Sequence, residues 1–294
     1  MMRRAATLFA IDDLPYLEQT KEAHSSVGEV PSLLKWTGSK RSQAVRIAAL
    51  APNHRRYFEP FLGGGALLYL LGKAGAVGAD IYAPLIEFWS VVRDEPERLI
   101  EDYAKQWRAL QADLPAYYYT VRSRYNCSKA PEDLNFLMRT CVNGIVRFSR
   151  KGEFNNSFHL SRKGMLPDRF AKIVKEWSLR LKGIEFRTGD FASTTHDAGS
   201  GDFIYLDPPY AGNKQRYIGD LDVERFYSTL EEFNIRGVKW ALSFDGTRGD
   251  TSYNYGLPKE IYKRKELLNS GYSAVSKVLN GPVEMVTESL YLNY

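Results

Sequence analysis

The chain has 294 residues, of which 44% are hydrophobic and 26% are charged, a composition typical of a folded globular protein and not of a disordered one. No apolar run approaches the roughly 20 residues of a membrane-spanning helix. The short apolar stretch near the N-terminus is followed by Asp12 and Asp13, which is unlike a secretory signal, so we expect a cytoplasmic location and no membrane partner. Cys127 and Cys141 lie in no metal-binding spacing, so no metal is expected.

The positive charge is concentrated in the middle of the chain. The formal net charge is +5. Residues 99–184 contain 16 Lys and Arg against 8 Asp and Glu, a net of +8, and the remaining residues contain 24 against 27, a net of −3. A polyanion-binding segment has such a basic block, although a solvated helical surface explains it equally well.

The first predicted elements follow an α/β pattern. Residues up to about Pro31 are polar and predict a leader or a loosely packed arm. Residues 55–71 predict a strand, a tight glycine turn and a helix that begins near Ala66. A second short strand ends at Asp80, and the apolar spacing in residues 85–100 predicts one helix.

The basic middle of the chain has a different pattern. From Glu101 to Ile145 the apolar spacing is helical. In residues 147–160 two short extended runs flank Lys151 and Gly152, which predicts a β-hairpin. A basic helix follows, from about Pro167 to Leu181.

The α/β pattern then returns at residues 184–191. An apolar strand is predicted from residue 201 to the start of the Asp-Pro-Pro segment, another strand is predicted in residues 240–246, and residues 282–294 are β-rich. Strands and helices that alternate around a basic, mainly helical block predict an open, mostly parallel sheet with an inserted module. We expect residues 1–98 and 185–294 to form the sheet domain and residues 99–184 to form the insertion.

The tetrad Asp207-Pro208-Pro209-Tyr210 directly follows an apolar strand. Ligands of open α/β sheets bind at the carboxyl ends of the strands, so this tetrad lies where chemistry is expected. The prolines fix the backbone and leave their carbonyl oxygens as acceptors. The Asp207 carboxylate and the Pro208 carbonyl can accept the two hydrogens of an exocyclic nucleobase amine, and Tyr210 can stack on the base. The bland alternative is a plain strand-to-loop turn.

The run Phe61-Leu62-Gly63-Gly64-Gly65 predicts a backbone turn that a ligand can approach closely. Asp80, at the end of the next strand, can accept hydrogen bonds from ribose hydroxyls. Nicotinamide-binding folds also have glycines and an acidic residue in these places, although three consecutive glycines depart from their G-x-G-x-x-G spacing.

Two further motifs indicate a binding site only in combination with the motifs described above. The segment from Lys35 to Lys40, KWTGSK, is by itself compatible with a surface loop. Gly189-Asp190-Phe191 places a carboxylate and an aromatic ring at a predicted strand end, as a site for an adenine amine or an ordinary turn would.

Taken together, the motifs resemble the Dam-like (alpha-group) DNA N6-adenine methyltransferases. The order KWTGSK, FLGGGAL, GADIYAPLIEFW, basic block, RTGDF and LDPPY matches that group from about Leu33 to the C-terminus. RTCVNGIVRFSRKGEFNNSF is similar to the family's hairpin segment. The resemblance implies a Rossmann-like, class I methyltransferase fold with S-adenosyl-L-methionine as cofactor and double-stranded DNA as partner. A cognate restriction endonuclease in the same system is compatible with it.

The resemblance also implies roles for individual residues. The cofactor residues would be Trp36 and Lys40 at the methionine portion, Glu59, Phe61, Gly63 and Gly65 in the pocket wall, Asp80 at the ribose, Asp190 and Phe191 at the adenine, and Asp207 beside it. The catalytic residues would be Asp207, Pro208 and Tyr210. Residues 99–184 would form the target-recognition domain, and its candidates for DNA contact are Arg147, Arg150, Lys151, Asn155 and Asn156.

The hairpin departs from the family pattern. Relatives that read GATC show R-Y-N and F-N-V-P-F-G, whereas this chain has Arg147-Phe148-Ser149 and residues 154–159, FNNSFH. We therefore do not expect GATC as the recognition sequence.

Other activities stay open at this point. A cytosine-N4 methyltransferase of the same fold has almost the same chemistry but more often has Ser in place of Asp207. Enzymes that methylate glutamine typically have Asn there, and RNA is a further substrate class. A nicotinamide-dependent oxidoreductase explains the glycine turn and Asp80 but not the tetrad. A DNA-binding module without activity is disfavoured, because the expected site positions are intact.

Overall fold

The computed structural model describes residues 30–149, 151–161, 163–209, 221–248, 251–253, 256–272 and 285–294. The chain divides into two compact units, Met1–Val30 and Pro31–Tyr294, and the second unit is described below. The predicted N-terminal arm, Arg150 and Tyr210 lie outside the described residues.

The order of elements follows the predicted α/β pattern. The helices are α1 (Ala44–Leu50), α2 (Ala66–Leu71), α3 (Ala83–Asp94), α4 (Pro96–Ala112), α5 (Ala116–Ser128), α6 (Pro131–Thr140), α7 (Pro167–Arg180), α8 (Phe191–Thr194) and α9 (Val223–Ile235). The strands are β1 (Tyr57–Glu59), β2 (Val77–Asp80), β3 (Glu185–Thr188), β4 (Phe203–Leu206), β5 (Lys239–Arg248), β6 (Thr251–Tyr253), β7 (Arg264–Tyr272) and β8 (Met285–Leu292). A 3₁₀ turn spans Val142–Gly144.

These strands form one sheet with the order β3-β2-β1-β4-β5-β8-β7, and β6 pairs with β5. The pairs among β1 to β5 are parallel, whereas β8 pairs antiparallel with β5 and β7. This mixed, mostly parallel sheet has the doubly wound order 3-2-1-4-5, in which the strand order reverses beside β1. The carboxyl ends of β1, β2 and β4 therefore meet at one edge, and the predicted fold class is confirmed.

The single helix predicted for residues 85–100 is wrong. The segment forms α3 and α4, which are separated at Glu95 with φ −131° and ψ 46°. Pro96 has no amide hydrogen to donate, and its ring disfavours the helical conformation of the preceding residue. Proline is instead well suited to the first position of a helix, so Pro96 begins α4.

The helix α7 packs behind the glycine turn. The ring centre of Trp177 lies 4.8 Å from that of Trp89 on α3 and 4.8 Å from that of Tyr69 on α2. Trp177 Nε1 also donates a hydrogen bond of 3.0 Å to the Pro31 carbonyl. Part of the sequence block 99–184 thus supports the sheet domain directly.

Arg139, near the end of α6, joins the helical block to the segment before Trp36. Its guanidinium donates hydrogen bonds to the carbonyl oxygens of Ser32 and Leu33 and lies 4.9 Å from the ring centre of Phe170. Burial lowers the pKa of Arg139 to about 10, so the side chain is still charged at neutral pH. A buried cation is tolerated where carbonyl oxygens and aromatic faces replace water.

The predicted hairpin is present as a loop with isolated bridges. Phe148 pairs with Phe154, and Cys141 pairs with Phe158, both in the antiparallel sense. The Ser149 amide donates to the Glu153 carbonyl at 2.7 Å and closes the turn at the tip. Within the described ranges, none of the helices has the length and apolarity to cross a membrane.

Candidate active site

A cavity of about 230 Å³ opens at the carboxyl ends of β1, β2 and β4. A cavity that holds a single water needs only about 15 Å³, so this one is large enough for a ligand. The structure brings the predicted cofactor residues together with the start of the tetrad along its wall: Trp36, Lys40, Glu59, Phe61, Gly63, Gly65, Asp80, Asp190, Phe191, Asp207 and Pro208.

The glycine turn forms one side of the cavity, and Gly63 has φ +46°. A Cβ atom at Gly63 would lie 2.8 Å from Cδ1 of Trp36, so a larger residue would displace that ring. The turn is held from both sides, because Gly63 N donates to Asp80 Oδ2 at 3.2 Å and Trp89 Nε1 donates to the Gly63 carbonyl at 3.1 Å. The turn and the Trp36 ring that packs on it therefore form this side of the cavity together.

Asp80 ends β2 and faces the cavity. Its Oδ1 accepts a hydrogen bond of 3.0 Å from the amide of Tyr82, and its Oδ2 accepts the bond from Gly63. Burial raises the pKa of Asp80 to about 6, while these amide donors oppose the rise. The carboxylate is fixed in position and has acceptor capacity left for a ligand.

An aromatic wall and a carboxylate lie at the end of the cavity formed by α8. The rings of Phe61 and Phe191 stack with centres 5.7 Å apart. Asp190 caps α8 by accepting hydrogen bonds from the amides of Ala192 and Ser193. Burial opposes its charge, but these amides and Arg225, whose guanidinium lies 2.8 Å from Oδ1, lower the pKa of Asp190 overall.

Asp207 follows β4 and forms an ion pair with Lys40, with 3.1 Å between Nζ and Oδ1. Lys40 is 7% exposed and also lies 3.1 Å from Oε2 of Glu288 on β8. Burial raises the pKa of Asp207 to about 6, the Lys40 charge opposes the rise, and the Glu288 charge adds to it. Asp207 is therefore mostly ionised at neutral pH and acts as a hydrogen-bond acceptor.

Glu59 lies at the end of β1, 4% exposed. Its Oε2 accepts a hydrogen bond of 2.9 Å from the hydroxyl of Tyr57. Burial raises the pKa of Glu59 from 4.5 to about 8, and the nearby charge of Asp207 adds to the rise. Among the cavity residues of β1, β2, β4 and the 36–40 loop there are three carboxyl groups, those of Glu59, Asp80 and Asp207, and one cation, Lys40. This surplus of carboxyl groups favours a cationic ligand.

Several residues of this site were not predicted from the sequence. Tyr82, Phe148, Tyr205 and Arg225 also line the cavity. Tyr82 could have been predicted as a cavity residue, because it follows Asp80 by two positions. Phe148 comes from the hairpin, where its ring centre lies 5.2 Å from that of Tyr82, and no local pattern indicates that contact.

The predicted DNA-contact residues divide into two groups. Arg147, Lys151 and Asn155 are exposed on the hairpin. Asn156 is partly buried, and its Nδ2 donates to the carbonyls of Val142 (2.9 Å) and of Ile145 (2.8 Å). Both amide hydrogens of Asn156 are therefore used to hold the neighbouring 3₁₀ turn.

A protein-family model described as D12 class N6 adenine-specific DNA methyltransferase matches residues 36–272. The chain belongs to this family. It is thus an adenine-specific DNA methyltransferase with a class I methyltransferase fold, and the cytosine-N4 and nicotinamide alternatives are not favoured.

Individual relatives agree with the family. The type II methyltransferase M.MjaIII of Methanocaldococcus jannaschii is 32% identical over 268 residues, which cover 80% of this chain and 89% of that protein. The DNA adenine methylase of Vibrio cholerae is 31% identical over 261 residues, 84% of this chain and 93% of that protein. Among solved structures, the rRNA methyltransferase aviRa of Streptomyces viridochromogenes covers 91% of this chain and 88% of its own, at 11% identity and a TM-score of 0.38, and is too distant to inform the function.

The raised pKa of Glu59 in this methyltransferase predicts a pH dependence of stability. The folded protein keeps a proton on Glu59 that the unfolded chain releases above its ordinary pKa of 4.5. The stability that comes from this bound proton is therefore lost, and the free energy of unfolding falls, as pH rises from about 4.5 towards about 8. Glu59→Gln cannot titrate, so the stability of the wild type relative to this variant is expected to decline between about pH 5 and pH 8 in urea unfolding of the ligand-free proteins.

The comparison with Glu59→Gln cancels the contributions of titrating groups that do not interact with Glu59, whereas the coupling between Glu59 and Asp207 stays within the measured difference. A difference in unfolding free energy that is flat over this range would show that Glu59 has an ordinary pKa in the folded protein.

Proposed function

We propose that the cavity binds S-adenosyl-L-methionine and that Asp207 and Pro208 hold the N6 amine of an adenine taken out of double-stranded DNA. The observation that carries the proposal is the acceptor-rich turn at Asp207, which faces a ligand-sized cavity at the end of β4. The reaction follows from membership of the family, and we assign it to this turn.

The residues present fit this cofactor. The methyl donor carries positive charge at its sulfonium and ammonium groups, and Glu59, Asp80 and Asp207 supply complementary carboxyl groups. The glycine turn lines the cavity, and the lack of a side chain at Gly63 makes room for the Trp36 ring beside it. The stacked rings of Phe61 and Phe191 offer an apolar wall for an adenine.

We assign the cofactor contacts on this basis. Trp36 and Lys40 hold the methionine portion, and Glu59, Phe61, Gly63 and Gly65 form the wall beside it. Asp80 accepts hydrogen bonds from the ribose, and Asp190 accepts one from the adenine amine beside Phe191. When bound, the cofactor supplies a methyl group already activated by its sulfonium.

The target amine is a poor nucleophile until its lone pair is withdrawn from the base ring. Lys40 contacts Oδ1 of Asp207, which leaves Oδ2 to accept one N6 hydrogen, and the Pro208 carbonyl accepts the other. Two acceptors draw the nitrogen towards a tetrahedral geometry and aim its lone pair at the methyl group. Stacking of the base on Tyr210 stays a prediction, because that residue lies outside the described part of the chain.

We propose that residues 99–184 recognise the DNA and that the hairpin is their reading edge. Buried Phe154 and Phe158 anchor the hairpin. The exposed side chains of Arg147, Lys151 and Asn155 can contact phosphates and base edges. Asn156 contributes to this edge indirectly, because its amide holds the neighbouring 3₁₀ turn. Arg150, outside the described residues, stays a predicted contact.

The wider context is also a proposal. Three relatives are named type II methyltransferases, which supports a restriction endonuclease partner for this chain. A DNA-modifying enzyme is expected in the cytoplasm, without a membrane partner and without a metal requirement.

Replacing Asp207 tests the catalytic assignment. Asp207→Ala removes one of the two acceptors, so turnover is expected to fall by at least about 100-fold. Binding of S-adenosylhomocysteine, measured by calorimetry, is expected to weaken far less than turnover. The matched control is Glu231→Ala, which removes an exposed carboxylate of α9 and is expected to leave turnover unchanged.

Near-normal turnover of Asp207→Ala with the cofactor analogue still bound would remove Asp207 from the mechanism.

Replacing Arg147 tests the hairpin. Arg147→Ala is expected to weaken duplex binding at moderate salt, and the slope of log affinity against log salt is expected to fall by about one if the guanidinium contacts a phosphate. Lys239→Ala, at the amino end of β5 and so at the opposite edge of the sheet, removes the same charge. Equal losses in the two variants would mean that net charge, and not the hairpin, binds the DNA.

A further inference from the structure

Glu288 on β8 shares the active-site lysine with Asp207. We propose that Glu288 is a positioning residue for the methyl transfer, which holds Lys40 between two carboxylates and so sets how strongly Asp207 accepts a hydrogen bond. This inference rests on the proposed role of Asp207, and no motif in the sequence analysis assigned a function to Glu288.

The geometry places Lys40 between the two carboxylates. Its Nζ lies 3.1 Å from Oδ1 of Asp207 and 3.1 Å from Oε2 of Glu288. The two oxygens are therefore no more than about 6 Å apart, with the ammonium group between them. The three side chains are 7%, 18% and 16% exposed, so water screens their charges weakly.

An irregularity in the sheet lies beside Glu288. Ser243 of β5 pairs with Leu290, and Gly246 pairs with Glu288, so residues 244–245 oppose Ser289 alone. Such a bulge bends the strand and re-aims its side chains, and bulges often lie beside active sites. The bulge occurs where β5 and β8 pass the carboxyl end of β4.

Among the described residues, the charged groups around Asp207 come from three parts of the chain. Lys40 comes from the loop before α1, Glu59 from the end of β1 and Glu288 from β8. The hydroxyls of Tyr57 and Tyr205 are held by Glu59 and Ser243. Lys40 is the cation among these described side chains, and Glu288 partly neutralises it.

A lysine paired with Asp207 alone would make the carboxylate a weaker acceptor, since acceptor strength follows basicity. The Lys40 charge keeps Asp207 ionised at neutral pH, and the second carboxylate offsets part of that charge, which keeps Asp207 basic enough to accept the N6 hydrogen strongly. Removing the Glu288 charge is thus expected to make Asp207 more acidic and turnover slower, without a change in DNA affinity.

The experiment uses the isosteric variant Glu288→Gln in the full chain. Asp207 is followed by carboxyl carbon-13 NMR of ligand-free protein with labelled aspartate, and its signal is identified by its loss in Asp207→Asn. The titration midpoint is expected near pH 6 in the wild type and about pH 5 in Glu288→Gln. The acid limb of the pH profile of kcat is expected to move the same way, with KM for DNA unchanged.

Two further variants keep the result interpretable. Glu266→Gln on the neighbouring strand β7 makes the same chemical change at a carboxylate that pairs with Arg264 at 3.1 Å, and it is expected to leave the Asp207 midpoint near pH 6. Glu288→Asp keeps the charge on a shorter side chain and is expected to move the midpoint back from about pH 5 towards pH 6.

An Asp207 midpoint that is the same in the wild type and in Glu288→Gln would overturn the inference, as would a moved midpoint with an unmoved kcat profile. Failure of the proposed function looks different, because Asp207→Asn would then retain methylation of DNA whatever the Glu288 variants do.

Discussion

The convergence of three strand ends is the constraint on which the rest of the structure depends. Parallel β1, β2 and β4 place Glu59, Asp80 and Asp207 around one cavity, where burial raises the pKa of each carboxyl group. Such a cluster is costly without a cation. Lys40 supplies one positive charge, and we infer that the cationic methyl donor supplies more. The buried carboxyl groups thus lower the stability of the ligand-free protein and raise its affinity for the cofactor.

The surrounding parts of the chain hold this cluster in place. Trp36 packs on Gly63, and Arg139 anchors the segment that leads to Trp36. Phe148 brings the hairpin to the same cavity through its contact with Tyr82. The elements proposed to bind DNA and those proposed to bind the cofactor therefore meet at one wall, which provides a physical route between target recognition and chemistry.

Much of this site could be predicted from the sequence, because each motif lies directly after a strand and strand ends converge in a parallel sheet. Glu288 could not, since its contact with Lys40 joins residues 248 positions apart and depends on how β8 pairs in the sheet. The chemistry of Asn156 suggested base contact, yet both of its amide hydrogens are donated to the carbonyls of Val142 and Ile145. The break at Glu95 was missed although Pro96 is a local signal for it, because the apolar spacing continues across the proline.

The most direct test of the account is product identity. Purified protein is incubated with methyl-labelled S-adenosyl-L-methionine and unmethylated duplex DNA of mixed sequence, and the digested nucleosides are separated by mass spectrometry. The account predicts that the label lies on N6-methyladenine. Label on N4-methylcytosine, or no label in DNA while the protein binds S-adenosyl-L-methionine, would contradict it.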